Sequence, residues 1–166
     1  MTPNPPCNHS AHGSGGSRGQ GDSSRKRPSF EEIYINLAFI LAERSTCRRL
    51  QVGTVITSTD YRKVLAVGYN GNASGLPNQC DRDEAGSCGC LHSEENAVIN
   101  CDSPRVVDKH VFVTHLPCVM CAKRLINLGN VKSVFYGLDY RSRDSLEVFQ
   151  QVGIRVVHLP QPERSK

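Results

Sequence analysis

A mixed, mostly parallel α/β sheet with helices packed on its faces is the fold class that this sequence predicts. Three observations predict it. Apolar side chains recur at helical spacing just after residue 29, two short β-branched runs joined by turn residues follow, and from residue 92 onward helix-like and strand-like segments alternate. With 166 residues the chain has room for one ordinary domain with a buried core, plus a tail.

Taken in order, residues 1–28 are rich in Pro, Gly, Ser and Asn and almost free of large apolar side chains. Such a composition does not offset the entropy of ordering, so this stretch is expected to be a disordered tail, with Cys7, His9 and His12 part of it and Arg25-Lys26-Arg27 a solvated basic patch. The domain is expected over residues 29–160, with 161–166 a short C-terminal tail. Ser29 caps a first helix in which Ile33, Leu37, Ile40 and Leu41 share a face, Glu31 and Glu32 fall in the first turn, and the end comes near Thr46. Val52, Val55 and Ile56, then Val64, Leu65, Val67 and Tyr69, read as two strands of a hairpin around Ser58-Thr59-Asp60. Gly71 to Gly89, with four Gly, one Pro, two Asn and three acidic residues, is a long loop, of a length usually tied to function or pinned by something. A helix over about 92–101, a strand at 111–113, a helix over 118–128 stopped by Gly129, a strand at 131–136, a helix over about 144–152 stopped by Gly153, and a strand at 154–158 complete the chain.

The formal charge is +4, but the first 28 residues hold Arg18, Arg25, Lys26 and Arg27 against Asp22 alone, so the folded part is close to neutral. That balance favours a small substrate and speaks against long phosphate backbones. The N-terminus has no apolar run behind its charges and no segment approaches membrane-spanning length, so the expected compartment is the cytoplasm. There the eight cysteines read as metal ligands more readily than as disulfides.

The densest chemistry lies between His92 and Cys121. His92-Ser93-Glu94 opens one helix and Pro117-Cys118-Val119-Met120-Cys121 opens another. A catalytic zinc takes three nitrogen or sulfur ligands and keeps a fourth position for water, and His92, Cys118 and Cys121 supply the three. In a continuous helix His92 and Glu94 would splay about 200° apart, so they converge only over the helix end. Cys118 and Cys121, three apart, share a face. Glu94 then stands as a non-ligand carboxylate beside the water. The alternative is a purely structural Cys2His zinc, with Glu94 as fourth ligand or as an ordinary first-turn carboxylate.

Cys47, Cys80, Cys88 and Cys90 fit a second, closed four-cysteine zinc site that would hold the long loop still, four unrelated thiols being the alternative. Cys101 is expected to be a small buried apolar residue, and His110, His115 and His158 hydrogen-bonded structural histidines.

His-x-Glu followed by Pro-Cys-x-x-Cys is the signature of zinc nucleobase deaminases, and the stretch from about Ile33 to Leu159 resembles the cytidine and deoxycytidylate deaminase superfamily. Gln51-Val52-Gly53-Thr54-Val55-Ile56 and Gly68-Tyr69-Asn70-Gly71 are most similar to the deoxycytidylate deaminases, which convert dCMP to dUMP. The resemblance implies a cytidine-deaminase-like three-layer α/β/α sandwich with a five-stranded mixed sheet, a homo-oligomer that is often a hexamer, and attack by zinc-bound hydroxide at C4 of cytosine with Glu94 as proton shuttle. It also implies that Asn70 touches the sugar, that Val52, Gly53 and Thr54 line the base pocket, and that Tyr140 approaches the nucleotide. Some members resemble this chain in carrying a second, structural zinc near the long loop. Arg48 and Arg49, just upstream, suit a 5′-phosphate. The chain departs from the family pattern at Ser93 and Thr54, where alanine is usual, and at Ala73, where a proline commonly stands in the effector loop, so regulation by dCTP and dTTP is not implied. The rival functions are deamination of cytidine, deoxycytidine, cytosine or guanine, editing of a base in RNA, and a zinc-stabilised binding module without catalysis.

Overall fold

The computed structural model describes residues 27–82 and 88–160. The expected tails therefore lie almost wholly outside the described residues. Helix α1 (Phe30–Ala42) is followed by strands β1 (Gly53–Ser58) and β2 (Val64–Tyr69), helix α2 (Ser93–Ile99), strand β3 (Lys109–His115), helix α3 (Val119–Leu128), strand β4 (Val131–Leu138), helix α4 (Asp144–Gln151) and strand β5 (Arg155–His158). Ser29 caps α1 as expected: its hydroxyl accepts from the Glu32 N–H at 3.1 Å and the Glu32 carboxylate accepts from the Ser29 N–H at 2.6 Å. The helix stops short of Thr46. The N–H groups of Glu43, Arg44 and Ser45 turn back onto the carbonyls of Ile40, Leu41 and Ala42, tightening the last turn until the helix ends.

The five strands form one mixed sheet in the order β2-β1-β3-β4-β5. The hairpin pairs β1 with β2, β1 is also antiparallel to β3, and β3, β4 and β5 run parallel. The sheet is thus evenly divided between the two kinds of pairing, where a mostly parallel one was expected. The segment joining β2 to β3 crosses over β1 and delivers β3 antiparallel to it, whereas the connections through α3 and α4 are ordinary parallel crossovers.

Successive strand residues face opposite sides, which splits the core in two. Val55, Phe112 and Phe135 pack against Ile35 and Ala38 of α1, while Ile56, Val111, Val113, Val134 and Tyr136 pack against Ala97, Ala122, Leu125 and Phe149 of α2, α3 and α4. The result is a three-layer sandwich with one helix on one face and three on the other. Strand β3 begins two residues before its apolar run, at Lys109, which is fully buried and donates from Nζ to the carbonyls of Val107 and Pro104 at 2.7 and 2.9 Å. Among the described residues no helix is long and apolar enough to cross a membrane.

Two glycines set the spacing of the layers. A Cβ on Gly53 would overlap the Ala38 carbonyl of α1, and one on Gly68 would overlap the Ser93 carbonyl and stand 2.5 Å from the Ala97 nitrogen of α2. Both helices approach the hairpin as closely as backbone allows. Gly68→Ala is therefore expected to push α2 off the sheet and to destabilise the protein by about 1–3 kcal/mol, the usual cost of overpacking. Chemical denaturation checks this, and an unchanged midpoint would contradict it.

Candidate active site

Helices α2 and α3 begin at the same place because each is capped by a residue of the site. His92 is the N-cap of α2 and Cys118 the N-cap of α3, where the Cys118 sulfur accepts from the Cys121 N–H at 3.5 Å. His92 Nδ1 lies 3.7 Å from the Cys118 sulfur and 3.3 Å from the Cys121 sulfur. Zinc bonded tetrahedrally to nitrogen at ~2.05 Å and sulfur at ~2.3 Å requires nitrogen-to-sulfur separations of about 3.5 Å. The donor set fits that ion.

The charges make the same point. The Cys118 thiol is drawn down to about 3 by the hydrogen bond from Cys121 and by His92, while Cys121 is pushed well up by the ionised Cys118 sulfur and by burial. On their own the two sulfurs share one negative charge; a divalent cation would offset both. The hydrogen bond to Cys118 raises the His92 imidazole.

Glu94, in the first turn of α2, is 4% exposed, and burial raises its carboxyl above the ordinary range. The Ser93 hydroxyl donates to its Oε2 at 3.0 Å. His92, Glu94 and Cys118 lie together in the wall of a cavity of about 490 Å³, a size suited to a small molecule. Val52, Asn70, Arg49 and Tyr140 line the same cavity. Asn70 is also a brace: its side chain accepts from the Val52 N–H at 2.8 Å and donates to the Leu50 carbonyl at 2.7 Å, fixing the segment that enters β1. Gly53, Thr54 and Arg48 are not in the lining. Gly53 faces α1, and Thr54, fully buried, turns its hydroxyl to Ser93 at 2.8 Å.

The cavity also takes in Leu50, His115, Leu116, Arg141 and Ser142, which the sequence reading did not single out for it. Arg141 lies over the Tyr140 ring, 5.4 Å from its centroid, and its nearness to Tyr140 in sequence was the one available signal. Of the other histidines, His115 meets the Thr114 hydroxyl at 3.0 Å and His158 the Gly137 carbonyl at 3.0 Å. His110 departs from the expectation, its buried Nδ1 having no hydrogen-bond partner among the described residues while its ring packs on Tyr61 and Phe135. Cys101 packs against the core but is half-buried, where a buried residue was expected.

The second cysteine cluster assembles from Cys47, beyond the end of α1, and Cys80, Cys88 and Cys90 of the long loop, with all four sulfurs within 4.8 Å of one another. Three of the pairs, Cys47 with Cys88, Cys47 with Cys80, and Cys80 with Cys90, stand at 3.7 Å. Four sulfurs about 2.3 Å from a tetrahedral zinc lie about 3.8 Å apart, so this set fits a closed site.

Residues 28–138 match the cytidine and deoxycytidylate deaminase zinc-binding region. The chain belongs to that deaminase family. The deaminase is 33% identical over 144 residues to the ComE operon protein 2 of Bacillus subtilis, covering 79% of this chain and 71% of that one. It is 31% identical over 156 residues to the deoxycytidylate deaminase of Schizosaccharomyces pombe, covering 86% of this chain and 48% of that one, so it spans about half of the yeast protein. Among solved structures, the dCMP deaminase of cyanophage S-TIM5 in complex with dCMP and dUMP superimposes with a TM-score of 0.72 at 31% identity, over 81% of this chain and all of that one.

Glu95 holds the two capping helices of the deaminase together. Its carboxylate accepts from the His92 N–H at 2.8 Å and pairs with Arg124 of α3 at 2.9 Å. Glu95→Ala removes a cap and the bridge at once. It is expected to cost about 1–2 kcal/mol of stability and to weaken metal retention; a variant with wild-type unfolding midpoint and wild-type zinc retention under chelator would refute this role.

Proposed function

We propose that this chain deaminates dCMP hydrolytically to dUMP, with His92, Cys118 and Cys121 holding a catalytic zinc and Glu94 moving the protons. The observation that carries the reading is the buried Glu94 carboxylate in the wall of one cavity with His92 and Cys118, two of the three residues, His92, Cys118 and Cys121, whose donor atoms cluster closely enough for a metal. The zinc, when bound, supplies the Lewis acid that makes a water nucleophilic at neutral pH. Glu94 accepts a proton from that water as its oxygen bonds to C4, and delivers the proton to N3. Glu94 then carries the second proton to the exocyclic nitrogen, which leaves as ammonia while the C4 carbonyl forms.

Arg49 and Arg141 line the same cavity and suit a 5′-phosphate, which is the support for a nucleotide over a nucleoside or free base. Asn70 uses one N–H and one lone pair of its amide on the chain, and the remaining pair is assigned to the sugar. Val52 and Leu116 are assigned to the base, with Tyr140 at the phosphate end. The cyanophage relative bound to dCMP and dUMP supports the same substrate. The near-neutral folded part favours such a small molecule over RNA, and a non-catalytic module would have no use for a buried carboxylate beside the metal. Cys47, Cys80, Cys88 and Cys90 are assigned a structural zinc. Exposed Ile33 and Ile40 on α1 favour a homo-oligomer, and the cytoplasm is the compartment we infer.

The test is ammonia release by purified protein given dCMP, deoxycytidine, cytidine, cytosine or guanine. dCMP is expected to be turned over with a kcat/KM at least ~10³-fold above deoxycytidine, since a charged group held by two arginines contributes several kcal/mol. Equal turnover of both would remove the phosphate assignment, and no turnover of dCMP would refute the function.

A further inference from the structure

Glu94 reaches its neighbours through a chain of hydroxyls that the mechanism above does not use. Thr54 of β1 and Ser93 of α2 are both fully buried, and their oxygens stand 2.8 Å apart. Ser93 Oγ stands 3.0 Å from Glu94 Oε2. Ser93 Oγ is the donor in this contact, so its single proton points to Glu94. Ser93 then has only lone pairs to offer Thr54, and Thr54 donates to it. The chain of donors therefore runs from Thr54 to Ser93 to Glu94. Ser93 can reach Thr54 because α2 rests on the bare backbone of Gly68.

We propose that Thr54 and Ser93 form a hydroxyl relay that aims the Glu94 carboxylate, which makes Ser93 a positioning residue for the deamination. With Oε2 engaged by Ser93, the other carboxyl oxygen is the one left to face the water and the ring nitrogen. A carboxylate that moves two protons between three atoms gains from having one oxygen fixed and one free, because rotation between the steps would misplace the proton. Thr54 keeps the Ser93 hydroxyl from rotating away. The inference rests on Glu94 as proton shuttle.

The experiment compares Ser93→Ala, Thr54→Val, Thr54→Ser, the Ser93→Ala/Thr54→Val double variant and Glu94→Gln. It uses the zinc-loaded full chain and the best substrate of the panel, and reads kcat, KM and the thermal midpoint of each. A hydrogen bond to a charged group is worth about ten-fold to a hundred-fold. Ser93→Ala is expected to lose that much kcat with KM little changed. Thr54→Val loses less, Thr54→Ser recovers part of that loss, and the double variant is no slower than Ser93→Ala because Thr54 acts only through Ser93. Lowered midpoints in both single variants that recover in the double, with kcat at the wild-type value throughout, would overturn the relay and leave a packing pair. Should Ser93→Ala not fold, the contrast between Thr54→Val and Thr54→Ser decides alone, and equal kcat in the two refutes the relay. Loss of turnover in Glu94→Gln with wild-type kcat in the hydroxyl variants refutes only the relay, whereas an active Glu94→Gln refutes the shuttle itself.

Discussion

The site depends on how closely α2 lies on the hairpin. Gly68 gives the helix a patch of bare backbone, so Ser93 and Ala97 sit directly on β2 and the first turn of α2 is carried over β1. From there Ser93 meets Thr54, and Glu94 is buried in the cavity wall. His92, one step outside the helix, turns toward the sulfurs of α3. A wider spacing would separate the cap at His92 from the sulfurs it faces and from Glu94, the three features on which the proposed chemistry rests. Gly53 does the same on the other face, letting α1 press on β1 and leaving Cys47 beyond the helix end to reach the long loop.

Electrostatics then decides what the converging side chains can do. Cys118 and Cys121 do not both ionise readily side by side, and the buried Glu94 adds negative potential next to them. A divalent cation would resolve the conflict, and in the proposed reaction Glu94 stays outside the ligand set, where it can gain and lose a proton. Glu95 and Arg124 keep the two capping helices in register around that centre. The cysteine cluster of the long loop also borders the cavity through Cys47, Cys88 and Cys90, so the element that closes the loop forms part of the wall that a substrate would touch.

Much of this was legible in the residues because it is local. The cap at Ser29, the helix starts near His92 and Cys118, the stops at Gly129 and Gly153, and the alternation of apolar strand residues each act over a few positions. The fold class and the two cysteine-bearing clusters follow from them. What was misread depends on distant partners. The antiparallel pairing of β1 with β3 is set by how the chain between β2 and β3 crosses the sheet, which no local pattern encodes. Strand β3 begins at Lys109 only because the carbonyls of Pro104 and Val107 receive its ammonium. Arg141 belongs to the cavity through the path of the chain after β4, and Glu95 bridges two helices only because Arg124 of α3 stands opposite it. Within the motif attached to the base pocket, Val52 lines the cavity, while Gly53 faces α1 and Thr54 turns its hydroxyl to Ser93, contacts that only distant elements supply.

The central claim is an open three-ligand zinc beside a free carboxylate, with a closed four-sulfur zinc next to it. Anomalous scattering at the zinc edge from crystals of the full chain tests it most directly. The account predicts two zinc peaks per chain, one within four cysteine sulfurs and one held by His92, Cys118 and Cys121, with Glu94 outside bonding distance and the fourth position facing the cavity. Glu94 bonded to the metal as a fourth ligand, or no zinc at His92, would contradict it.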